Sequence, residues 1–317
     1  MSSVVGVQIM SARARLFSTT ILTSISAIFI SSISASAADI YTKAPPAAPV
    51  PGQPAVDGLN WKFGGLGGTL ADRSIGGAQG SVSVPLGGQY GFQLDGAIGS
   101  FDSRFFGAGG AHLFWRDPSR GLLGIYASHT HWQEFGGLHV TQVAGEGEAY
   151  FGRFTLQGIA GVEFGNSQSA ITGVSTTATS TTTFIDTYDV QTRFFDKINL
   201  AYYLNDNTKV FAGHRYLGGK HALALGGELA LPSNGPTMLA AFVEGRVGES
   251  EFHGIWGGIR GYWGQSAKSL IQRHRQDDPV NWLPETLFSI TNSLTTSSTT
   301  VNTVPSACDG DGDACAQ

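Results

Sequence analysis

A short run in the middle of the chain holds the residue types of a hydrolase dyad. It reads Ser128-His129-Thr130-His131, and a serine hydroxyl activated by an imidazole base is a common nucleophile. On a β-strand, neighbouring side chains point to opposite faces, so Ser128 and His129 cannot meet. The histidines on other segments that would have to complete a dyad are His112, His139 and His221. No G-x-S-x-G elbow is present, and we expect no enzyme.

Metal and nucleotide chemistry have less support. The eight histidines are scattered, and a metal site needs three or four ligands. The glycine run 64–68 lacks the βαβ unit of a dinucleotide loop. The acidic run between Cys308 and Cys315 lacks the closing Glu of a calcium loop. We expect no metal and no cofactor, and we predict that Cys308 and Cys315 form a disulfide in an oxidising compartment.

Ten charged residues lie at positions opposite the more apolar face of the strands predicted below. They are Lys62, Asp95, Arg153, Glu163, Lys197, Arg215, Glu228, Glu244, Arg246 and Arg260. A charge facing the hydrocarbon midplane costs ~2–4 kcal/mol, so in a membrane barrel these side chains should face the lumen. Both signs occur. The charges either pair and fill the lumen, or they line a narrow aqueous channel.

The elements that would position these residues are long strands with two different faces. In residues 153–164, apolar and polar side chains alternate over about twelve positions, and a strand needs roughly 9–11 residues to cross a bilayer. Repeated strands of this kind are typical of a transmembrane β-barrel. The pattern predicts about twelve, at 59–70, 78–84, 90–101, 105–116, 121–132, 138–151, 153–165, 193–204, 209–217, 221–231, 238–247 and 253–264. The first, second and sixth are weak, so ten strands is the alternative count.

The composition also favours a membrane barrel. Charged residues make up 14% of the chain. In soluble domains they make up about a quarter of the residues. A chain with so few charges cannot cover a large aqueous surface with them, whereas the outer wall of a barrel faces lipid. The net charge of −5 gives no reason to expect a nucleic-acid partner.

The chain divides into four parts. Residues 1–37 resemble a signal peptide, with Arg13 and Arg15 before an apolar stretch and Ala35-Ser36-Ala37 at the cleavage site. Residues 38–58 form a proline-rich linker, and residues 59–264 form the barrel. Residues 265–317 are predicted to be a periplasmic tail that is partly disordered. Short turns belong on the periplasmic side, which puts the long polar loop after Asn166 outside the cell.

Two segments carry a resemblance to a known group. The mature start Ala38-Asp39 with Tyr41-Thr42-Lys43-Ala44-Pro45-Pro46, and the first strand Asn60-Trp61-Lys62-Phe63-Gly64-Gly65, are similar to outer-membrane β-barrel (porin family-like) proteins of alphaproteobacteria. The resemblance implies an outer-membrane location in a Gram-negative cell and the strand architecture. It implies no substrate.

Together these observations predict an all-β protein, an antiparallel transmembrane β-barrel with a periplasmic C-terminal tail. Its expected function is porin-like passive passage of small solutes or a structural role in the membrane. The alternatives are an outer-membrane lipid-modifying hydrolase and a soluble periplasmic β-sandwich. The expected partners are outer-membrane lipid, lipopolysaccharide and the barrel-assembly machinery, and the oligomeric state is left open.

Overall fold

The computed structural model describes residues 52–231 and 233–302. Twelve strands form the barrel: β1 (Asn60–Leu70), β2 (Arg73–Gly87), β3 (Tyr90–Phe101), β4 (Arg104–Asp117), β5 (Gly121–Trp132), β6 (Leu138–Phe151), β7 (Phe154–Gly165), β10 (Arg193–Asn205), β11 (Thr208–Leu217), β12 (Lys220–Ala230), β13 (Thr237–Gly248) and β14 (His253–Trp263). Three further strands are β8 (Ser167–Thr176), β9 (Ser180–Asp189) and β15 (Leu294–Asn302). Two short helices, α1 (Leu270–Gln276) and α2 (Thr286–Thr291), lie between β14 and β15.

The barrel is closed by pairing of its first and last strands. β1 and β14 run antiparallel from Trp61 opposite Trp263 to Leu70 opposite Gly254. The strand order around the wall is β1-β14-β13-β12-β11-β10-β7-β6-β5-β4-β3-β2. This confirms the predicted all-β antiparallel barrel with twelve strands rather than ten. It also contradicts the alternative of a two-sheet sandwich, because the wall has no open edges.

The outer wall is apolar and the inner wall is polar over most of its height. Leu123, Ile125 and Ile98 are 68%, 61% and 60% exposed, while the alternate residues of the same strands are largely buried. Aliphatic side chains so exposed need lipid rather than water around them, and a closed barrel leaves no backbone group unpaired there. The wall is therefore that of a membrane-spanning barrel. No helix within the described ranges is long and apolar enough to cross a membrane.

The barrel has two ends, which we call the near end and the far end. The near end holds the start of β1, the end of β14 and short turns such as residues 88–89 and 118–120. The far end holds two-residue turns such as Ala71 and Asp72, whose positive φ angles suit tight hairpins. The far end also holds the long connection from β7 to β10, at residues 166–192.

This connection is a hairpin rather than a polar loop. β8 continues β7 beyond the far rim, β9 returns beside it, and β15 joins β9 to give the sheet order β15-β9-β8. The segment is rich in threonine, a β-branched residue that favours strands when a partner is present. The sequence pattern missed this because the partner, β15, is more than a hundred residues away.

The structure corrects the prediction of a periplasmic tail for residues 265–302. Residues 265–293, here called the plug, turn back into the barrel at the near end and emerge at the far end. Leu287, Phe288 and Ile290 are 0% exposed within it. The physical reason is that the apolar run 283–290 packs against apolar side chains of the inner wall, which a free tail would leave in water. β15 then follows outside the rim.

Several predictions fall on residues that lie outside the described ranges. These are the signal peptide 1–37, the linker up to residue 51, and the disulfide between Cys308 and Cys315. The rest of the linker, residues 52–58, lies at the near end. There Gln276 of the plug donates a hydrogen bond from Nε2 to the carbonyl of Pro54 (3.2 Å).

Candidate functional site

The lumen and the plug that occupies it form the candidate site. At the near end the plug is held by a lysine between two carboxylates. Lys268 Nζ lies 2.8 Å from Asp57 Oδ2 and 2.6 Å from Asp277 Oδ2. The Asp57 amide also donates to Asp277 Oδ1 at 3.3 Å. This contact joins the segment before β1 to the end of α1.

The two carboxyls of this contact have opposite pKa shifts. Burial raises the pKa of Asp277 to about 7, although Lys268 acts to lower it. Burial also acts to raise the pKa of Asp57, but hydrogen bonds from Asn60 and Lys268 outweigh it and bring the pKa to about 2. The contribution of Asp277 to the free energy of plug docking is fully present below roughly pH 4, the pKa of the carboxyl in the unfolded chain. It is lost as the pH rises through about 7. The Asp57 contribution is present above pH ~4 and is lost as pH falls toward about 2.

Compared with the wild type, Asp277→Asn is therefore expected to slow hydrogen exchange of the plug amides, and by a larger factor at pH 8 than at pH 5. Asparagine keeps the shape of the neutral carboxyl without the cost of burying its charge. Hydrogen exchange of the plug amides at the two pH values measures this. Asp57→Asn is the matched control and should speed exchange of the plug amides at both pH values. If the plug amides of Asp277→Asn exchange faster than those of the wild type at pH 8, the ion pair with Lys268 outweighs the cost of burying the Asp277 charge.

Farther into the lumen, lysines of the wall bind the plug backbone. Lys62 Nζ donates to the carbonyl of Pro279 (2.9 Å), and Lys197 Nζ donates to the carbonyl of Trp282 (3.2 Å). Both lysines are at most 6% exposed. Proline at position 279 supplies a free carbonyl and no N–H, which suits a segment that is surrounded by donors.

Glu285 is the centre of the strongest contact between plug and wall. Its carboxylate accepts hydrogen bonds from the guanidinium groups of Arg215 and Arg246, which come from two different strands. All three side chains are nearly or fully buried, at 4%, 0% and 1% exposure. Each guanidinium also lies over an indole ring, at 5.4 Å for Arg215 over Trp282 and 4.6 Å for Arg246 over Trp256.

A second carboxylate, from the wall, binds the plug closer to the far end. Glu163 Oε2 accepts a hydrogen bond from the hydroxyl of Ser289 (2.6 Å), and its Oε1 accepts the amide of Gly218 (2.7 Å). Asn292 then donates from Nδ2 to the carbonyl of Leu217 (2.9 Å), the last residue of β11. These contacts place residues 289–292 at the far rim.

The far part of the lumen also contains an apolar core. Phe288 of the plug packs against Phe252 and Trp256, with ring centroids 4.7 Å and 6.2 Å apart. Phe101 and Trp132 of the wall join the same buried cluster as Phe288. An aqueous channel would leave these rings in water, so this part of the wall needs the plug to cover it.

A small cavity lies beside the plug toward the near end. It has a volume of about 50 Å³ and is lined by charged groups that include Lys62, Glu228, Arg260 and Asp278. At about 10–15 Å³ per water, this space holds a few water molecules. Both carboxylate oxygens of Asp278 lack a hydrogen-bond partner among the described residues, and bound water would satisfy them.

The ten predicted lumen-facing charges lie as follows. Seven are buried inside the wall: Lys62, Asp95, Glu163, Lys197, Arg215, Glu228 and Arg246. Glu244 and Arg260 are partly buried beside them, in ion pairs with Arg246 (2.9 Å) and Glu228 (3.1 Å). Arg153 lies at the near rim and pairs with Asp206 (3.2 Å). Eight of the ten thus contact another of these charges or the plug, while Asp95 contacts His112 and Gln93 of the wall and Arg153 pairs with Asp206.

The residues of the possible hydrolase dyad are separated. Ser128 faces the lumen and is buried, whereas His129 faces outward and lies 2.9 Å from the Thr141 hydroxyl. The histidine on the inner wall is His112, and its two ring nitrogens contact Glu146 (2.7 Å) and Asp95 (3.0 Å). In the described ranges, no group of three or more His, Cys, Asp or Glu side chains has the arrangement of a metal site.

Sequence reasoning missed the plug and the apolar core that receives it. One signal was present: β3 carries large apolar residues on both faces near the far end. Ile98 and Phe101 lie on opposite faces of β3. A strand that is apolar on both faces needs apolar surroundings on both, which here are lipid outside and the apolar core inside.

The closed wall, its apolar outer face and its filled lumen define an outer-membrane type of β-barrel. Solved structures that it resembles include the translocator domain of the autotransporter NalP from Neisseria meningitidis, at 12% identity and a TM-score of 0.36, covering 80% of this chain and 99% of that one. Omp33 of Acinetobacter baumannii has 10% identity and a TM-score of 0.34, with 65% and 98% covered. The toluene transporter TodX of Pseudomonas putida has 9% identity and a TM-score of 0.32, with 65% and 89% covered. No protein-family model and no curated protein matches the chain.

Proposed function

We propose that the protein is a self-plugged outer-membrane barrel, closed in its resting state, with a structural role in the membrane. The observation that carries this proposal is the buried contact of Glu285 with Arg215 and Arg246. Removing one partner of such a contact leaves uncompensated buried charge, at a cost of about 3–5 kcal/mol. The plug is therefore a built part of the lumen and not a loosely held tail.

Single-channel recording in planar bilayers tests the closed state. The folded full-length mature protein is expected to show no steady ohmic current, because the buried plug residues such as Glu285, Leu287 and Phe288 occupy the lumen. Heat-modifiable gel mobility of the same sample verifies that the barrel is folded. A steady conductance from folded protein whose plug amides stay protected from exchange would contradict the proposal.

Porin-like passage of small solutes is the second candidate function, and it requires the plug to leave. The lumen would then present charges of both signs, and size and charge would screen solutes. Midway along the wall these charges include Lys197, Arg215 and Arg246, which the plug now covers. Passage would thus be a property of an undocked state.

We propose further that the protein is not an enzyme and that lipid and lipopolysaccharide surround its wall. The separation of Ser128 from His129 supports the first statement, and the exposed aliphatic outer face supports the second. Export by cleavage after residue 37, assembly by the barrel-assembly machinery and an alphaproteobacterial origin are proposed from the sequence and the resemblance.

A further inference from the structure

The two ends of the described chain lie on opposite sides of the membrane. A barrel with an even number of strands starts and finishes at the same end, and here Trp61 is paired with Trp263 at the near end. After Gly264, however, the chain crosses the membrane once more, inside its own lumen. Leaving at the far end, it continues as β15.

The path can be followed from the contacts of the plug with the wall. Near the start of the plug, the amide of Ile271 donates to the carbonyl of Asp206 (3.1 Å) in a near-end turn. Near its finish, Asn292 donates to Leu217 (2.9 Å) at the far end of β11. β11 begins at Thr208, so these two contacts lie at opposite ends of the same strand.

β15 carries the chain away from the membrane along the β8–β9 hairpin. It pairs with β9 at nine positions, from Leu294 opposite Tyr188 near the rim to Asn302 opposite Ser180 near the hairpin tip. At about 3.3 Å per residue, Asn302 lies roughly 25–30 Å farther along the hairpin than Leu294. The register has no shift, whereas that of β8 with β9 has one.

Side chains strengthen this pairing. The hydroxyl of Thr296 donates to Asp186 Oδ1 (2.6 Å), and the hydroxyls of Thr182 and Thr300 are 2.9 Å apart. Cross-strand threonine pairs are favourable in sheets. The hairpin thus has a role that its sequence did not suggest: it receives the strand that leaves the lumen.

We infer that the barrel is the conduit for its own C-terminal segment and displays the residues after Asn302 outside the cell. The exported chain, as proposed above, would enter the membrane from the periplasm, which puts the N-terminal end of the barrel on that side. The plug crosses the membrane through the lumen, β15 docks on the hairpin, and fifteen residues follow, among them Cys308 and Cys315. This inference rests on the proposed plugged state, since it needs the plug in the lumen.

Thiol labelling of intact cells tests the inference, because Cys308 and Cys315 are the two cysteines of the chain. Cells expressing the full chain are reduced and treated with a membrane-impermeant maleimide. Two control cysteines are placed in a background in which both native cysteines are serine. Ala178→Cys lies at the exposed tip of the hairpin, and Asn234→Cys lies exposed in a near-end connection. A peptide epitope after Gln317, detected by antibody on intact cells, is the second readout.

We expect the native cysteines and the epitope to react in intact cells, as Ala178→Cys does, while Asn234→Cys reacts only after the outer membrane is permeabilised. The inference would be overturned if the native cysteines and the epitope, like Asn234→Cys, reacted only after the outer membrane is permeabilised. If the protein is also non-conducting, that result would reject display and keep the closed barrel. A conducting wild-type protein would instead reject the closed barrel itself.

Discussion

Deletion of residues 265–317 is expected to turn the closed barrel into a conducting channel. The deletion removes the plug and β15 and leaves all twelve wall strands and their closure by β1 and β14. A wall of eight strands is filled by its own side chains, and a wall of sixteen leaves a clear channel. The twelve-stranded wall lies between these, and here the main chain of the plug takes up the interior.

The matched control for this deletion ends the chain after Ser293. That variant loses β15 and the residues after it but keeps Glu285 and the apolar run 283–290. It should stay closed in planar bilayers, whereas the longer deletion should carry steady current. Heat-modifiable mobility identifies the folded fraction of both proteins. A folded protein without residues 265–317 that carries no current would show that the wall side chains alone close the lumen.

The wall could be predicted from sequence because the alternation of apolar and polar residues within each strand shows which residues face out and which face in. The predicted strands 90–101, 121–132 and 138–151 agree with β3, β5 and β6 to the residue. β2 was placed at 78–84 and extends over Arg73–Gly87. Its first half contains Gly76 and Gly77, and a residue without a side chain gives no alternation to detect.

The destination of the plug could not be predicted, because it depends on a cavity that exists only once twelve strands have closed. A local pattern shows that residues 283–290 are rich in apolar side chains, and says nothing about what they contact. One clue lay in the predicted lumen charges. Of the ten, six are cations and four are anions, so the predicted set has two more positive than negative charges. Glu285 of the plug adds one negative charge, placed against Arg215 and Arg246.

The hairpin shows the same limit on a smaller scale. Residues 167–189 have the threonine and isoleucine content of strands, but a hairpin without a packed face is only marginally stable in water. The third strand comes from residues 294–302, which lie beside β9 because the plug before them passes through the lumen. Prediction failed where structure depends on contacts between distant parts of the chain.

Glu285→Arg is expected to expel the plug while the wall remains folded. Glu285 belongs to the plug, so the substitution changes no wall residue. It places a third guanidinium against Arg215 and Arg246, with Lys197 close by, all of them buried. We expect current through the barrel and rapid proteolysis of residues 277–282, with unchanged heat-modifiable mobility.

Two further variants separate charge from size. Glu285→Gln has nearly the same shape and leaves Arg215 and Arg246 without a counter-charge, at a cost of about 3–5 kcal/mol. At about 1.4 kcal/mol per tenfold, this raises the undocked fraction roughly 10²–10⁴-fold. Combining Glu285→Arg with Arg215→Glu restores one opposite-charge pair across the same contact. The double variant should therefore conduct less than Glu285→Arg alone. If it conducts equally, repulsion at this contact is not what expels the plug, and the larger side chain at position 285 is.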